Sequence, residues 1–76
     1  EYKGINVATL QALAESKSLE TINIQELVAA GFVSPKHLVK ILANGTLTAK
    51  LTVEAHAFSQ KAVEAIEAVG GTVVKL

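Results

Sequence analysis

Between Lys40 and Gly71 the chain reads KILANGTLTAKLTVEAHAFSQKAVEAIEAVGG, and this stretch limits the possible folds more than any other. Val39, Ile41 and Leu42 form an apolar run that stops at Ala43-Asn44-Gly45-Thr46. Asn-Gly is the pair that most readily takes positive φ at both centres of a type I′ turn, so a short β-hairpin is predicted at Asn44-Gly45. Beyond it Leu47, Ala49, Leu51 and Val53 alternate with Thr48, Lys50, Thr52 and Glu54. That is the period of a strand with one buried and one wet face, which places Lys50 and Glu54 together on the wet side. Ser59 then offers a capping hydroxyl, and Ala62, Val63, Ile66 and Val69 recur at helical spacing until Gly70-Gly71 stops the helix. Thr72-Val73-Val74 restarts a β-branched run.

Two shorter cycles precede this stretch. Tyr2 to Val7 reads as a strand, and Leu10, Leu13 and Ala14 continue at helical spacing up to the polar break Ser16-Lys17-Ser18. Thr21 to Ile24 is strand-like, Gln25 to Ala30 reads as a short helix ended by Gly31, and Ser34-Pro35 marks the next turn. Ile5-Asn6-Val7, Ile22-Asn23-Ile24 and Leu51-Thr52-Val53 share an aliphatic-polar-aliphatic pattern, 17 and then 29 residues apart. The uneven spacing excludes a strict solenoid, yet allows strand-and-helix units that cover one another. Simple similarity between strand-to-helix junctions is the competing explanation. Either way the expectation is an α/β fold in one small domain spanning residues 1–76.

Composition sets the scale. Half of the 76 residues are apolar, but twelve of those are alanine and only one Tyr and two Phe are present, so the core is aliphatic and light. A domain of this size buries roughly 60% of the surface its unfolded chain exposes, so its stability is expected to be modest. Seven Lys balance seven Glu, with no Arg and no Asp, and the chain lacks the net positive field of an independent nucleic-acid binder. Without Cys there are no disulfides, zinc-finger patterns or thiol chemistry, and the sequence fits an intracellular protein. No signal peptide or membrane-length apolar run is present. Because residue 1 is Glu rather than Met, the sequence is expected to be a truncated piece.

Catalytic chemistry finds little support. His37 and His56 are the only imidazoles, and no HxxxH or HExxH spacing provides a metal site. Ser34 and Ser59 lack a GxSxG elbow, and no Asp exists to orient an imidazole. Neither an enzyme nor a metal or cofactor is expected. Gly70-Gly71 follows a helix, so it does not aim a helix start at a phosphate as a dinucleotide loop does.

What remains is a surface. Lys36, Lys40, Lys50 and Lys61 gather around the predicted hairpin and the last helix, whereas Glu15, Glu20 and Glu26 lie in the first half. A one-sided basic face is compatible with zero net charge, and solvated surface lysines are the competing reading. Lys61 falls in the first turn of its helix, where a cation opposes the macrodipole unless an outside anion compensates it.

These residues carry a resemblance. Lys40-Ile41-Leu42-Ala43, Gly45, Leu47, Leu51-Thr52-Val53, His56, Phe58-Ser59, Ala62, Ile66 and Gly70-Gly71 closely resemble the signature of large-subunit ribosomal protein fifteen, bacterial type. INVATLQAL is similar to that family's strand and helix, so the resemblance covers nearly the whole chain. It implies a non-enzymatic constituent of the large ribosomal subunit, located in the cytoplasmic ribosome, that binds ribosomal RNA beside neighbouring ribosomal proteins and enters during assembly. It also implies a C-terminal domain built as an irregular superhelix of strand/strand/helix units. The family's long basic N-terminal arm has no counterpart here, which would account for the neutral charge. Carried over by position, the resemblance places Lys40, Asn44, Gly45, Lys50, His56, Ser59 and Lys61 at or near an RNA-contact surface, positioning phosphate rather than reading bases; Lys36, from the lysine cluster, completes the expected RNA-binding set. Ala43 departs from a frequent Gly, leaving that turn less free to approach a phosphate. His56 is equally readable as a half-buried joint residue, and Phe58 is read as core. The alternative function is a protein-interaction module with no nucleic-acid role; neither reading involves a membrane or a small-molecule substrate.

Overall fold

The computed structural model describes residues 2–76. In chain order it contains β1 (Tyr2–Asn6), α1 (Val7–Lys17), β2 (Thr21–Ile22), α2 (Ile24–Ala29), β3 (Leu38–Leu42), β4 (Thr52–Ala55), β5 (Ala57–Phe58), α3 (Gln60–Ala68) and β6 (Thr72–Lys75). The strands sort by parity. One sheet has the order β1-β3-β5, the other β2-β4-β6, and every pairing is parallel. Parallel neighbours need long crossovers, and here each crossover of one sheet lays down a strand of the other. The chain therefore winds through three turns, each leaving one strand in each sheet. This is the small α/β domain of repeating strand and helix units that the sequence leads one to expect.

Local chemistry explains the helices. Val7, Leu10, Leu13 and Ala14 give α1 its buried face. Asn23 caps α2, its side chain accepting a hydrogen bond from the Glu26 amide at 2.9 Å. Ser59 caps α3 in the same way, accepting from the Ala62 amide at 3.1 Å. The stops also fall where expected, with Gly31 and Gly70 just beyond α2 and α3. Between sheets and helices lies an aliphatic core that includes Ile5, Leu10, Ile22, Leu27, Ile41, Leu51, Val53 and Ile66; among the described residues no polar side chain is buried. Phe58 packs against this core, as expected.

The hairpin at Asn44-Gly45 does not exist. Strand β3 ends at Leu42 and pairs in parallel with β1 and β5, while β4 starts only at Thr52, in the other sheet. Gly45 does have φ of 96°, but Asn44 has no positive φ, so the pair is not a type I′ turn. Residues 43–51 instead form the helix-free crossover of the middle turn. Gly45 is needed there for a different reason: a Cβ at this position would stand 2.3 Å from the Ala8 Cβ. The crossover presses against the start of α1, where the Ala8 amide donates to the Asn44 carbonyl at 3.2 Å.

The alternation from Leu47 to Val53 was right about burial and wrong about pairing. Leu47, Leu51 and Val53 are buried, while Thr48 and Lys50 are exposed. Only Thr52 onward joins a sheet, so Lys50 lies ahead of the strand that carries Glu54. The third member of the aliphatic-polar-aliphatic set differs accordingly. Ile5-Asn6-Val7 and Ile22-Asn23-Ile24 span strand-to-helix junctions, whereas Leu51-Thr52-Val53 opens β4 and leads to another strand.

With no partner strand, the middle of the crossover takes hydrogen bonds from α1. The Gln11 side-chain carbonyl accepts from the amides of Thr48 and Ala49 at 2.9 and 3.0 Å. Gln11→Ala leaves both amides without that acceptor, and the expected cost is about 1–2 kcal/mol, measured as a lower urea midpoint at unchanged slope.

Candidate nucleic-acid interface

Seven of the eight candidate residues lie on or beside the β1-β3-β5 sheet. Lys36 is exposed in the turn that leads into β3, where its amide donates to the Ser34 hydroxyl at 3.1 Å. Lys40 sits half-buried in the middle of β3, between Gly4 of β1 and Ala57 of β5. Asn44 and Gly45 follow the carboxyl end of β3, and Ser59 and Lys61 follow that of β5. Asn44, Ser59 and Lys61 line one surface groove together with Leu42, Gln60 and Glu64. The Ser59 amide donates to the Ile41 carbonyl at 2.9 Å, which fixes the start of α3 against β3.

His56 forms the one-residue corner between β4 and β5, the point where the chain changes sheet. Its Nδ1 accepts from the Val39 amide at 2.9 Å while its own amide donates to the Val39 carbonyl at 3.0 Å. These bonds make His56 the joint residue of the alternative reading. They occupy Nδ1 and leave Nε2 as the ring atom available to other partners.

Lys50 stands apart. It lies in the groove at the amino end of the β2-β4-β6 sheet with Glu20, Thr52 and Gly70. It does not share a two-stranded unit with Lys40, because the hairpin that was to join them is absent. The opposite ends of residues 43–51 serve different sheets, so residues close in sequence separate in space.

Sequence reasoning passed over Tyr2 and Leu38, the large exposed side chains that β1 and β3 place opposite one another. Tyr2 is legible in the sequence only as the start of a strand, and the register that makes the two neighbours is not. Among the described residues no cluster of three or more His, Cys, Asp or Glu side chains could hold a metal ion, and no helix is long and apolar enough to cross a membrane.

Comparison with known proteins agrees with the resemblance. A family model described as "Ribosomal proteins 50S-L15, 50S-L18e, 60S-L27A" matches residues 4–74. The chain is 63% identical over 76 residues to a protein of Bacteroides fragilis named large ribosomal subunit protein uL15, covering all of this chain and 51% of that protein. It is 64% identical over the same 76 residues to the protein of that name from Parabacteroides distasonis, again 51% of its length. For Azobacteroides pseudotrichonymphae the identity is 51% over 75 residues, 99% of this chain and 50% of the relative. The chain thus spans about half the length of the curated relatives it matches. With nearly every residue inside the family match and identities above half, the chain belongs to the family of ribosomal proteins 50S-L15, 50S-L18e and 60S-L27A.

Proposed function

We propose that this chain is a non-enzymatic constituent of the large ribosomal subunit in the cytoplasmic ribosome. It binds the subunit's RNA by positioning phosphates, sits beside neighbouring ribosomal proteins and contributes to assembly. The names of its relatives support the subunit. The grouping of Asn44, Ser59 and Lys61 in one groove beyond the carboxyl ends of β3 and β5 supports the RNA contact.

Physical chemistry gives each group a task. Ligands of parallel sheets tend to bind beyond the carboxyl ends of the strands, where Asn44, Gly45, Ser59 and Lys61 are found. Ser59 satisfies the Ala62 amide, so the amides of Gln60 and Lys61 at the start of α3 have no intrahelical acceptor and remain available to an anion. A phosphate in the groove also relieves the unfavourable placement of the Lys61 ammonium in the first helical turn. Lys40 supplies a second point charge from the middle of the sheet. Lysine recognises phosphate through charge rather than a bidentate fork, which suits positioning more than base reading.

Filter binding of the chain to large-subunit RNA purified from Bacteroides fragilis, repeated across a salt series, tests this reading. Log affinity should fall linearly with log salt, and the pair Lys40→Ala and Lys61→Ala should flatten the slope by about 1.4–1.8, at about 0.7–0.9 per lost phosphate contact. Lys50→Ala decides whether contact extends to the second sheet: a flatter slope includes it, and an unchanged one confines the interface to the first. Binding that is absent or indifferent to salt favours the protein-interaction module instead.

A further inference from the structure

We propose that the outer face of the β1-β3-β5 sheet docks one unpaired nucleotide, with Tyr2 stacking on the base and Lys40 holding the phosphate. This rests on the RNA-binding reading above and names a contact within it. On this face Tyr2 stands opposite Leu38, and Lys40 stands between Gly4 and Ala57. Tyr2 is 52% exposed and Leu38 43% exposed, and both are first residues of paired strands rather than tips of loops. Leu42 leans across the space that a Cβ on Gly4 would take, its Cδ1 only 2.8 Å from that point. The result is a low apolar floor with one aromatic ring at one end and one ammonium beside it.

The dimensions select the occupant. A strand spacing of about 4.8 Å and a rise of about 3.3 Å per residue put Tyr2 and Lys40 about 8 Å apart on the diagonal, within the span of one nucleotide from base to phosphate. The same spacings give a patch of roughly 10 by 15 Å, far short of the about 800 Å² that a stable protein interface takes from each partner. Charge points the same way. Positions 2, 4 and 6 of β1, 38, 40 and 42 of β3 and 57 of β5 hold no carboxylate, and Lys36 and His37 lead into β3. An aromatic face beside a cation is the arrangement that holds single-stranded nucleic acid, and it tolerates any base because every base has a π face.

Tyr2 is the only Tyr and the chain has no Trp, so its fluorescence reports this contact directly. The test titrates the chain with large-subunit RNA from Bacteroides fragilis, correcting for absorption by the RNA. Emission should be quenched in step with binding. Tyr2→Phe should bind as the parent does, and Tyr2→Ala should lose about 5- to 150-fold in affinity, the worth of stacking one base, with the salt slope unchanged. Lys40→Gln should keep the quenching and flatten the slope by about 0.7–0.9. Equal melting curves for all three variants exclude misfolding as the cause. If RNA binds with a salt-dependent affinity while Tyr2 emission and the Tyr2→Ala affinity do not move, the nucleotide site is overturned and the RNA-binding reading stands. If no RNA binds at any salt, both fall. Emission that changes with protein concentration alone, together with a dimer in sedimentation, assigns the face to a second copy and overturns the nucleotide.

Discussion

Replacing Gly45 with alanine is expected to lower the unfolding free energy by about 2–4 kcal/mol, from a strained positive φ and an overpacked contact together. Both causes are local and separable. The backbone at Gly45 has φ of 96°, and the added Cβ would meet the Ala8 Cβ at 2.3 Å, the Ala8 Cα at 3.1 Å and the Ala8 nitrogen at 3.2 Å. Ala8 cannot easily retreat, because its amide donates to Asn44, the neighbour of Gly45. A 76-residue domain has a total stability of about 4–11 kcal/mol at the usual value per residue, so the loss is a large share. The steric part should shrink when Gly45→Ala is made in an Ala8→Gly background. A coupling of about 1 kcal/mol or more in the urea-unfolding cycle is expected between these contacting positions. Additive costs would show that the close approach is not the cause.

Gly45 also shows what a sequence can and cannot disclose. Its positive φ was legible, because glycine after asparagine in a polar break has few other uses. The hairpin drawn from it was wrong, because strand pairing is decided by residues far away in the chain. Leu47 to Val53 alternate as a half-buried strand does, yet period two reports only an extended segment with one face on the core. Here only Thr52 and Val53 join a sheet, while the amides of Thr48 and Ala49 donate to the Gln11 side chain, and no pattern in the sequence marks Gln11 as the acceptor. Helices fared better, since caps such as Ser59 and stops such as Gly70 act within four residues of the groups they satisfy. At two residues, β5 is too short to leave any periodicity.

The candidate interface divides along the same line. The clustering of lysines and the family resemblance supplied the residues, and the topology determined which of them stand together. Lys40, Asn44, Ser59 and Lys61 stay near one sheet because β3 and β5 are neighbours in register. Lys50 leaves the group because it lies at the far end of the crossover, ahead of a strand that belongs to the other sheet. Tyr2 and Leu38 come together over a separation of 36 residues, a contact that only parallel pairing of β1 and β3 creates.

Gly71→Ala is expected to cost about 3 kcal/mol or more, near the upper end for overpacking, and to lower the melting temperature by about 12 °C or more. The added Cβ would lie 2.4 Å from the Leu51 carbonyl oxygen, 2.8 Å from the Ile66 carbonyl oxygen and 2.9 Å from the Ile66 Cγ2. Two of these obstacles are backbone, so no rotamer change removes them. Shifting Gly71 outward does not help either: its amide donates to the Ile66 carbonyl at 2.9 Å, and the next amide, Thr72, donates to the Leu51 carbonyl at 2.9 Å. Both bonds anchor the start of β6, one to Leu51 just ahead of β4 and the other to the last turn of α3. The comparison with Gly70 sharpens the expectation. A Cβ on Gly70 would meet nothing nearer than the Lys50 Cδ at 3.6 Å, so Gly70→Ala pays only for its φ of 85°, about 1–3 kcal/mol. The order of cost should therefore be Gly71 above Gly70, the reverse of what a helix-stop role for the first glycine would suggest. Hydrogen exchange should show the amides of β6 losing protection first in Gly71→Ala, since β6 is at the edge of its sheet, with β4 as its only strand partner among the described residues. A Gly71→Ala protein that melts with the parent, or above Gly70→Ala, would mean that β6 does not pass this close to Leu51 and Ile66.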